Sequence, residues 1–78
     1  MKTLATAFVL VNAETGLESE VLRDLKEFSE VREVYMVYGV YDIIAHIETE
    51  SMDELKDVIN WKIRRLENVR STLTMIVQ

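Results

Sequence analysis

The chain has 78 residues, of which 49% are hydrophobic and 29% are charged, a composition typical of one small globular domain. Its 14 acidic residues outnumber its 9 basic residues and give a formal net charge of −5, which argues against a surface that coats nucleic-acid phosphates. The chain has no cysteine, so disulfides, cysteine-bound zinc and thiol catalysis are excluded.

The small size of the chain bears on how it can be stable. A domain of fewer than about 80 residues buries only ~60% of its unfolded surface, and such domains often rely on disulfides, metals or association. Disulfides are excluded here, and the single histidine, His46, argues against a metal centre. We therefore expect residues 1–78 to form a single domain that associates into a homo-oligomer and carries neither metal nor cofactor.

The first half of the chain predicts a strand, a helix and a hairpin. Residues 4–12 are apolar and partly β-branched, which indicates a strand. Thr15 and Glu18 have the spacing of a helix-capping box, and apolar residues follow at helical spacing. Residues 33–38 and 41–48 predict two strands joined at Gly39 and Val40. Gly in the first loop position is typical of a type II′ turn, which requires a positive φ there.

The second half of the chain predicts a helix and a final strand. Ser51 and Glu54 form a second capping box, ahead of an apolar stripe that includes Leu55, Ile59 and Ile63. Residues 71–77 are again β-prone. The resulting order, β-α-β-β-α-β, predicts an α+β fold of the ferredoxin-like type: a four-stranded antiparallel sheet with two helices on one face.

The predicted strands are apolar on both sides. A strand with one solvated face should alternate apolar and polar residues, but Phe8 and Leu10 oppose Val9 and its equally apolar neighbours. Two helices can cover only one face of the sheet. We therefore predict a dimer that packs sheet against sheet, with Val9, Tyr35 and Val37 among its interface residues.

Trp61 lies nearly opposite the apolar stripe of the second predicted helix, on a face shared with Arg64 and Arg65. Two interpretations are open. The ring can lie along the surface, partly covered by the arginine side chains. Alternatively, Trp61 anchors a second interface that assembles dimers into a larger ring, since tryptophan is enriched at interface anchors.

Three segments resemble the effector domain of the Lrp/AsnC transcription regulators, also called the RAM domain. Residues 34–44, Val-Tyr-Met-Val-Tyr-Gly-Val-Tyr-Asp-Ile-Ile, contain a Gly-x-Tyr-Asp turn between two predicted strands. Residues 7–11 followed by Gly16 resemble the opening of that domain, and residues 69–77 resemble its last strand. The position of the Gly-x-Tyr-Asp motif within the β-α-β-β-α-β order makes the resemblance specific.

The resemblance implies an amino-acid sensor. Domains of this family pair through their sheets, assemble into octamers or other rings, and bind free amino acids where dimers meet, near the Gly-x-Tyr-Asp turn. The implied effector-binding residues are Gly39, Val40, Tyr41 and Asp42, with Thr72 and Thr74 nearby. Turn amides can meet an α-carboxylate, and Asp42 can accept from an α-ammonium.

The resemblance also implies partners. Full-length members carry an N-terminal helix-turn-helix, which this sequence lacks ahead of its first strand. We therefore expect a stand-alone effector domain that does not bind DNA itself and that can co-assemble with full-length regulators. No signal peptide or membrane-spanning run is visible, which predicts a cytoplasmic location without membrane contact.

Other interpretations stay open. The chain could be a structural oligomerisation module in which Gly39 serves only the turn and Asp42 only caps backbone amides. Small dimeric α+β barrel monooxygenases share the size and topology. Such an enzyme needs a pocket between sheet and helices with a proton-handling group. His46 is the only histidine and no nucleophile–base pair stands out, so no enzymatic activity is expected.

Overall fold

The computed structural model describes residues 4–78, and residues 1–3 lie outside the described part of the chain. Strands β1 (Ala5–Ala13), β2 (Val31–Met36), β3 (Ile43–Thr49) and β4 (Val69–Ile76) form one four-stranded sheet in the order β2-β3-β1-β4. Every neighbouring pair is antiparallel. Helix α1 (Glu18–Lys26) joins β1 to β2. The predicted α+β ferredoxin-like fold, with the order βαββαβ, is confirmed.

Helix α2 (Met52–Asp57) continues directly into a π-helical stretch, Val58–Ile63. The Ser51 hydroxyl accepts the backbone N–H of Glu54 at 3.1 Å, so the predicted cap of this helix is confirmed. The π-helical part ends with the N–H of Arg64 donating to the carbonyl of Ile59 at 3.0 Å, an i to i−5 bond. The helices of residues 4–78 are too short or too polar to cross a bilayer.

The core lies between the helices and one face of the sheet. Alternate residues of the two central strands are fully buried there, and α1, α2 and the π-helical stretch add their own apolar side chains. The strand contribution is Ala7, Val9, Val11, Ile43, Ala45 and Ile47. The helical contribution is Val21, Leu25, Leu55, Val58, Ile59 and Ile63. This side of the sheet, called the helix face below, is closed by the chain itself.

The opposite side of the sheet, called the open face below, is covered by no element in residues 4–78. The strand register places Phe8 beside His46 and Met75, and Leu10 beside Ile44 and Leu73. Leu73 and Met75 are large exposed hydrophobic residues. The strands carry apolar residues on both faces, as predicted. The chain buries those of the helix face and leaves those of the open face accessible.

Val9 corrects one predicted interface residue. Its side chain has 0% exposure and lies on the helix face, where the chain's own helices already cover it. It cannot contact a second chain there, so its prediction as an interface residue is wrong. Phe8 and Leu10, which alternate with Val9 along β1, are the residues that reach the open face.

The start of α1 differs from the prediction. Thr15 does not cap the helix, which begins at Glu18 with Leu17 in the cap position and no side-chain capping bond. Gly16 has φ +85°, a conformation that glycine adopts without steric cost. The chain turns at Gly16, and the helix begins two residues later. The Glu18 carboxylate accepts the backbone N–H of Gly16 at 3.4 Å.

The β2–β3 connection also differs. The strands end at Met36 and resume at Ile43, so residues 37–42 form a loop that is longer than a type II′ turn. Gly39 does not have a positive φ, which makes the predicted turn type wrong. The bond that closes the loop runs from the N–H of Val37 to the carbonyl of Asp42 and encloses four residues instead of two, while the N–H of Asp42 donates to the carbonyl of Val11 at 3.0 Å.

Candidate functional site

Asp42 is held at one end of the sheet by its backbone and its side chain. Besides its bond to Val11, its carbonyl accepts the N–H of Val37 at 2.8 Å. Its carboxylate atom Oδ2 accepts the N–H of Ala13 at 3.0 Å, where a register shift interrupts the β1–β4 pairing. The carboxylate thus satisfies an amide that the ladder does not. This observation fits the interpretation that Asp42 caps backbone amides.

A cavity of about 360 Å³ opens beside Asp42, and we call it the Asp42 hollow. Its lining comprises Asn12, Ala13, Thr15, Glu18, Val40, Asp42, Arg70 and Ser71. The volume falls near the small end of ligand pockets, which span roughly 300–1,000 Å³. Carboxylates, a guanidinium, an amide and two hydroxyls meet there. These groups can pair with an ammonium and a carboxylate of one small ligand.

A second cavity also borders the 37–42 loop. Its volume is about 290 Å³ and it is lined by Glu18, Met36, Val37, Tyr38 and Asp42. Glu18 and Asp42 therefore line both cavities. The loop that both cavities border carries the Gly-x-Tyr-Asp motif.

The other residues of that motif lie at different depths. Tyr38 and Val40 are fully exposed or nearly so at the tip of the loop, whereas Tyr41 is half-buried. A Cβ atom placed on Gly39 would meet nothing within 4 Å. Neither its φ nor a close approach within the described chain requires glycine at this position. Only Val40 and Asp42 of the motif line the Asp42 hollow.

Thr72 and Thr74 do not join Asp42. Both lie on the helix-facing side of the edge strand β4, in register with Val11 and Val9. They line a different cavity, of about 490 Å³, between β4 and the second helical segment, which we define as α2 with the π-helical stretch that continues it. The other lining residues are Lys56, Ile59, Asn60, Arg64 and Ile76. The structure therefore separates the predicted effector-binding residues into two groups.

Sequence reasoning missed Glu18, Arg70, Asn12 and Ser71 as lining residues. The capping-box spacing accounts for Glu18 without a role in a site. Asn12 and Ser71 are paired across β1 and β4, and both line the same hollow as Asp42. The Asn12 amide donates to the Ser71 hydroxyl at 3.4 Å. Recognising this required the register, which the sequence pattern does not specify.

The remaining predicted interface residues are accessible. Tyr35 and Val37 are exposed, as a contact with a second chain requires. Trp61 is 60% exposed, and the guanidinium of Arg65 lies 4.3 Å from its ring centroid. This cation–π contact matches the interpretation of a surface tryptophan partly covered by arginine. The role of Trp61 in a second interface stays a prediction.

Comparison with known proteins identifies the family. The model of the Lrp/AsnC ligand binding domain matches residues 6–78. FFRP-DM1 is 40% identical, with 95% of this chain and 99% of that chain covered and a TM-score of 0.92. AsnC of E. coli is 28% identical, with 94% and 50% covered and a TM-score of 0.86, so this chain spans about half of AsnC.

A more distant structure shares only the fold. It is the transcriptional regulator NMB0573 of Neisseria meningitidis in complex with L-Met, which is 14% identical, with 95% and 49% covered and a TM-score of 0.83. Comparison with curated protein sequences finds no significant match. The family assignment therefore rests on the family model and on the structural relatives of higher identity. The chain belongs to the Lrp/AsnC family, as its ligand-binding domain.

Proposed function

We propose that this chain is a sensor of free amino acids that binds its effector in the Asp42 hollow and dimerises through the open face of its sheet. The observation that carries the proposal is that one cavity is lined by both negatively and positively charged side chains. Asp42 and Glu18 supply carboxylates, and Arg70 supplies a guanidinium. An amino acid is a zwitterion, and such a lining can complement both of its charged groups.

The placement of Asp42 suits this role. One carboxylate oxygen is committed to the amide of Ala13, which orients the group, while the charge of the carboxylate is retained. An α-ammonium beside it would form a charge-assisted hydrogen bond. Arg70 offers a planar guanidinium for the α-carboxylate. Asn12, Thr15 and Ser71 supply neutral donors and acceptors for a polar side chain.

The exposed tip of the 37–42 loop supports a ligand site that a second dimer completes. Tyr38 and Val40 extend from the loop next to Gly39, and none of them is covered by the described chain. Large apolar side chains at such a position mark a contact surface. We propose that another dimer covers this loop, so that Gly39, Val40 and Tyr41 contact the effector or the neighbouring chain.

The proposed role is regulatory and non-catalytic. NMB0573, a transcriptional regulator of the same fold, was crystallised with L-Met, which supports an amino acid as effector. AsnC is about twice as long as this chain, so we propose that the domain acts together with DNA-binding regulators of its family, including by mixed assembly. His46, the group that an enzyme of the dimeric α+β barrel type would need, lies on the open face and not between sheet and helices.

Binding of the twenty amino acids, one at a time, tests the proposal. The readouts are the unfolding midpoint and titration calorimetry. A ligand at ~100 times its dissociation constant stabilises by about 2.7 kcal/mol, which shifts the midpoint of a domain this small by several degrees. We expect one amino acid, or a chemically related few, to produce this shift.

Asp42→Asn is the informative variant, because its side-chain carbonyl can still accept from Ala13 while the charge is removed. It should fold and lose at least about tenfold in affinity, as expected for one charge-assisted bond of ~1.5–3 kcal/mol. Asp57→Asn, an exposed site on α2, makes the same change of charge and should bind like the parent. Thr74→Val should also bind normally, because Thr74 lines the other cavity. No shift with any amino acid would leave the structural oligomerisation module as the better account.

A further inference from the structure

A charged cluster lies on the β2–β3 half of the open face, and we call it the His46 cluster. The register aligns Glu33 on β2, His46 on β3, Phe8 on β1 and Met75 on β4 in one row across the sheet. The cluster consists of His46, Glu33, Glu48, Arg32 and Tyr35. None of these residues contributes to the Asp42 hollow.

The imidazole of His46 is held between two carboxylates. Its Nδ1 atom lies 3.6 Å from Glu33 Oε1, and its Nε2 atom lies 3.6 Å from Glu48 Oε2. The Phe8 ring stacks on it with centroids 4.9 Å apart and an interplanar angle of 17°. A neutral imidazole can donate from only one nitrogen, so its other nitrogen would direct a lone pair at a carboxylate. An imidazolium donates towards both.

Other charged groups complete the cluster. Arg32 Nε lies 3.4 Å from Glu48 Oε1, and the Tyr35 hydroxyl donates to Glu33. That hydroxyl and, to a lesser extent, His46 lower the pKa of Glu33, which therefore stays ionised in mildly acidic solution. The same bond raises the pKa of Tyr35, which stays neutral. The neighbours of His46 and Glu48 from β1 and β4 are Phe8, Thr6 and Met75, which do not titrate.

The charge of the cluster depends on one proton. Arg32, Glu33 and Glu48 sum to −1, so the cluster is net −1 with a neutral imidazole and neutral with an imidazolium. The side chains of His46 and Glu48 keep 21% and 23% of their surface exposed in the single chain, and a second sheet laid on this face would remove that water. Desolvating a net charge costs more than desolvating a neutral, paired cluster.

We propose that the open face is a proton-linked interface, at which a second copy of this chain binds more tightly when His46 is protonated. The inference rests on the proposed dimerisation through the open face and adds its regulation. His46 is the only histidine, the chain has no cysteine, and the ordinary titration range of imidazole spans mildly acidic to neutral pH. Association therefore takes up protons as pH falls through that range, and the affinity rises.

Sedimentation equilibrium of the purified chain at constant ionic strength, at about pH 7 and about pH 5.5, tests the proposal. Uptake of one proton or more per dimer makes the dimer dissociation constant at least about tenfold smaller at the lower pH. His46→Gln should remove this difference. Its dimer dissociation constant should stay, at both pH values, near that of the parent protein with a neutral imidazole. Glu33→Gln makes the cluster neutral with a neutral imidazole and positive with an imidazolium, so its dimer should be no tighter at the lower pH.

Glu27→Gln is the matched control for net charge. It removes one negative charge from the exposed residue after α1, far from the open face, and should keep the difference between the two pH values. A parent dimer whose dissociation constant is the same at both pH values would overturn the proposal, as would an equal pH response in His46→Gln. A chain that stays monomeric at both pH values and at every concentration would overturn the proposed dimerisation itself, and this inference with it.

Discussion

Both faces of the sheet carry large apolar residues, but the chain itself buries only those of the helix face. On the helix face, Val9, Ala45 and Ile47 have 0% exposure under the chain's own helices. On the open face, Leu73 and Met75 remain nearly half exposed, although they are just as apolar. The difference shows that hydrophobicity alone does not decide burial in this chain. What decides it is the side on which the two crossover segments pack.

The two faces contribute to two different free energies, that of folding and that of association. Side chains of the helix face contribute to the folding of a single chain, because their burial is complete without a partner. Side chains of the open face contribute mainly when another surface covers them. Substitutions on the two faces should therefore change different observables, unfolding on one side and association on the other.

The largest expected effect is on the helix face. Ile47→Ala should lower the free energy of unfolding by ~2–5 kcal/mol, because it leaves a cavity in a fully buried site. Ile44→Ala is the matched change on the same strand, on the open face, and should cost much less at concentrations where the chain is monomeric. Urea unfolding of both variants measures the difference. Equal losses in dilute solution would break the distinction between the faces.

The next effect concerns association. Leu73→Asp places a charge on the open face and should leave the chain folded but monomeric, since a desolvated unpaired carboxylate opposes docking. Sedimentation velocity and far-ultraviolet circular dichroism report mass and folding. Asn60→Asp adds the same charge on an exposed site of the second helical segment, and its dimer should persist. A dimeric Leu73→Asp protein would place the interface elsewhere.

A smaller effect concerns the cover of the helix face. Ser51→Ala removes the hydroxyl that accepts from the N–H of Glu54 at the start of α2. The loss of such a cap costs about 1 kcal/mol, so thermal unfolding should shift by a few degrees. Association should be unchanged when measured on folded protein, since α2 does not reach the open face. A weaker dimer would mean that the faces are coupled.

The smallest effect lies on the outside of the helical layer. Lys62 Nζ lies 3.0 Å from Glu30 Oε2, and this hydrogen bond is the main cause of the lowered pKa of Glu30. Because the folded-state pKa is depressed, the stabilisation is present above the ordinary carboxyl value of 4.5 and is lost as pH falls through the lowered pKa.

Lys62→Met should therefore lower stability by less than ~1 kcal/mol at neutral pH. The deficit should vanish in strongly acidic solution, where the parent has also lost the pair. Chemical denaturation at both pH values measures this difference. A deficit that persists after Glu30 is protonated would point to the packing of Lys62 over Phe28, whose ring centroid lies 5.7 Å from Nζ.

Much of the fold was predictable from local pattern. The helical stripes, the apolar strands and the Ser51 cap depend on residues close in sequence, and these predictions are confirmed. The Gly-x-Tyr-Asp motif also pointed to the correct family. The candidate site was predictable only in part. Asp42 and Val40 do line one cavity, but Thr72 and Thr74 line another, because strand parity turns them to the helix side.

The sequence by itself determined the order of the elements and the presence of apolar residues on both sides of the strands, since periodicity is a local property. Only the tertiary structure decided which side is covered. Phe8 and Val9 are both apolar, and the packing of the helices on one side of the sheet buries Val9 and leaves Phe8 on the open face. It also decided the shape of the 37–42 loop, through the bonds from Asp42 to Val11 and Ala13. The row that joins Glu33, His46 and Phe8 arises in the same way, from the register between strands that are distant along the chain.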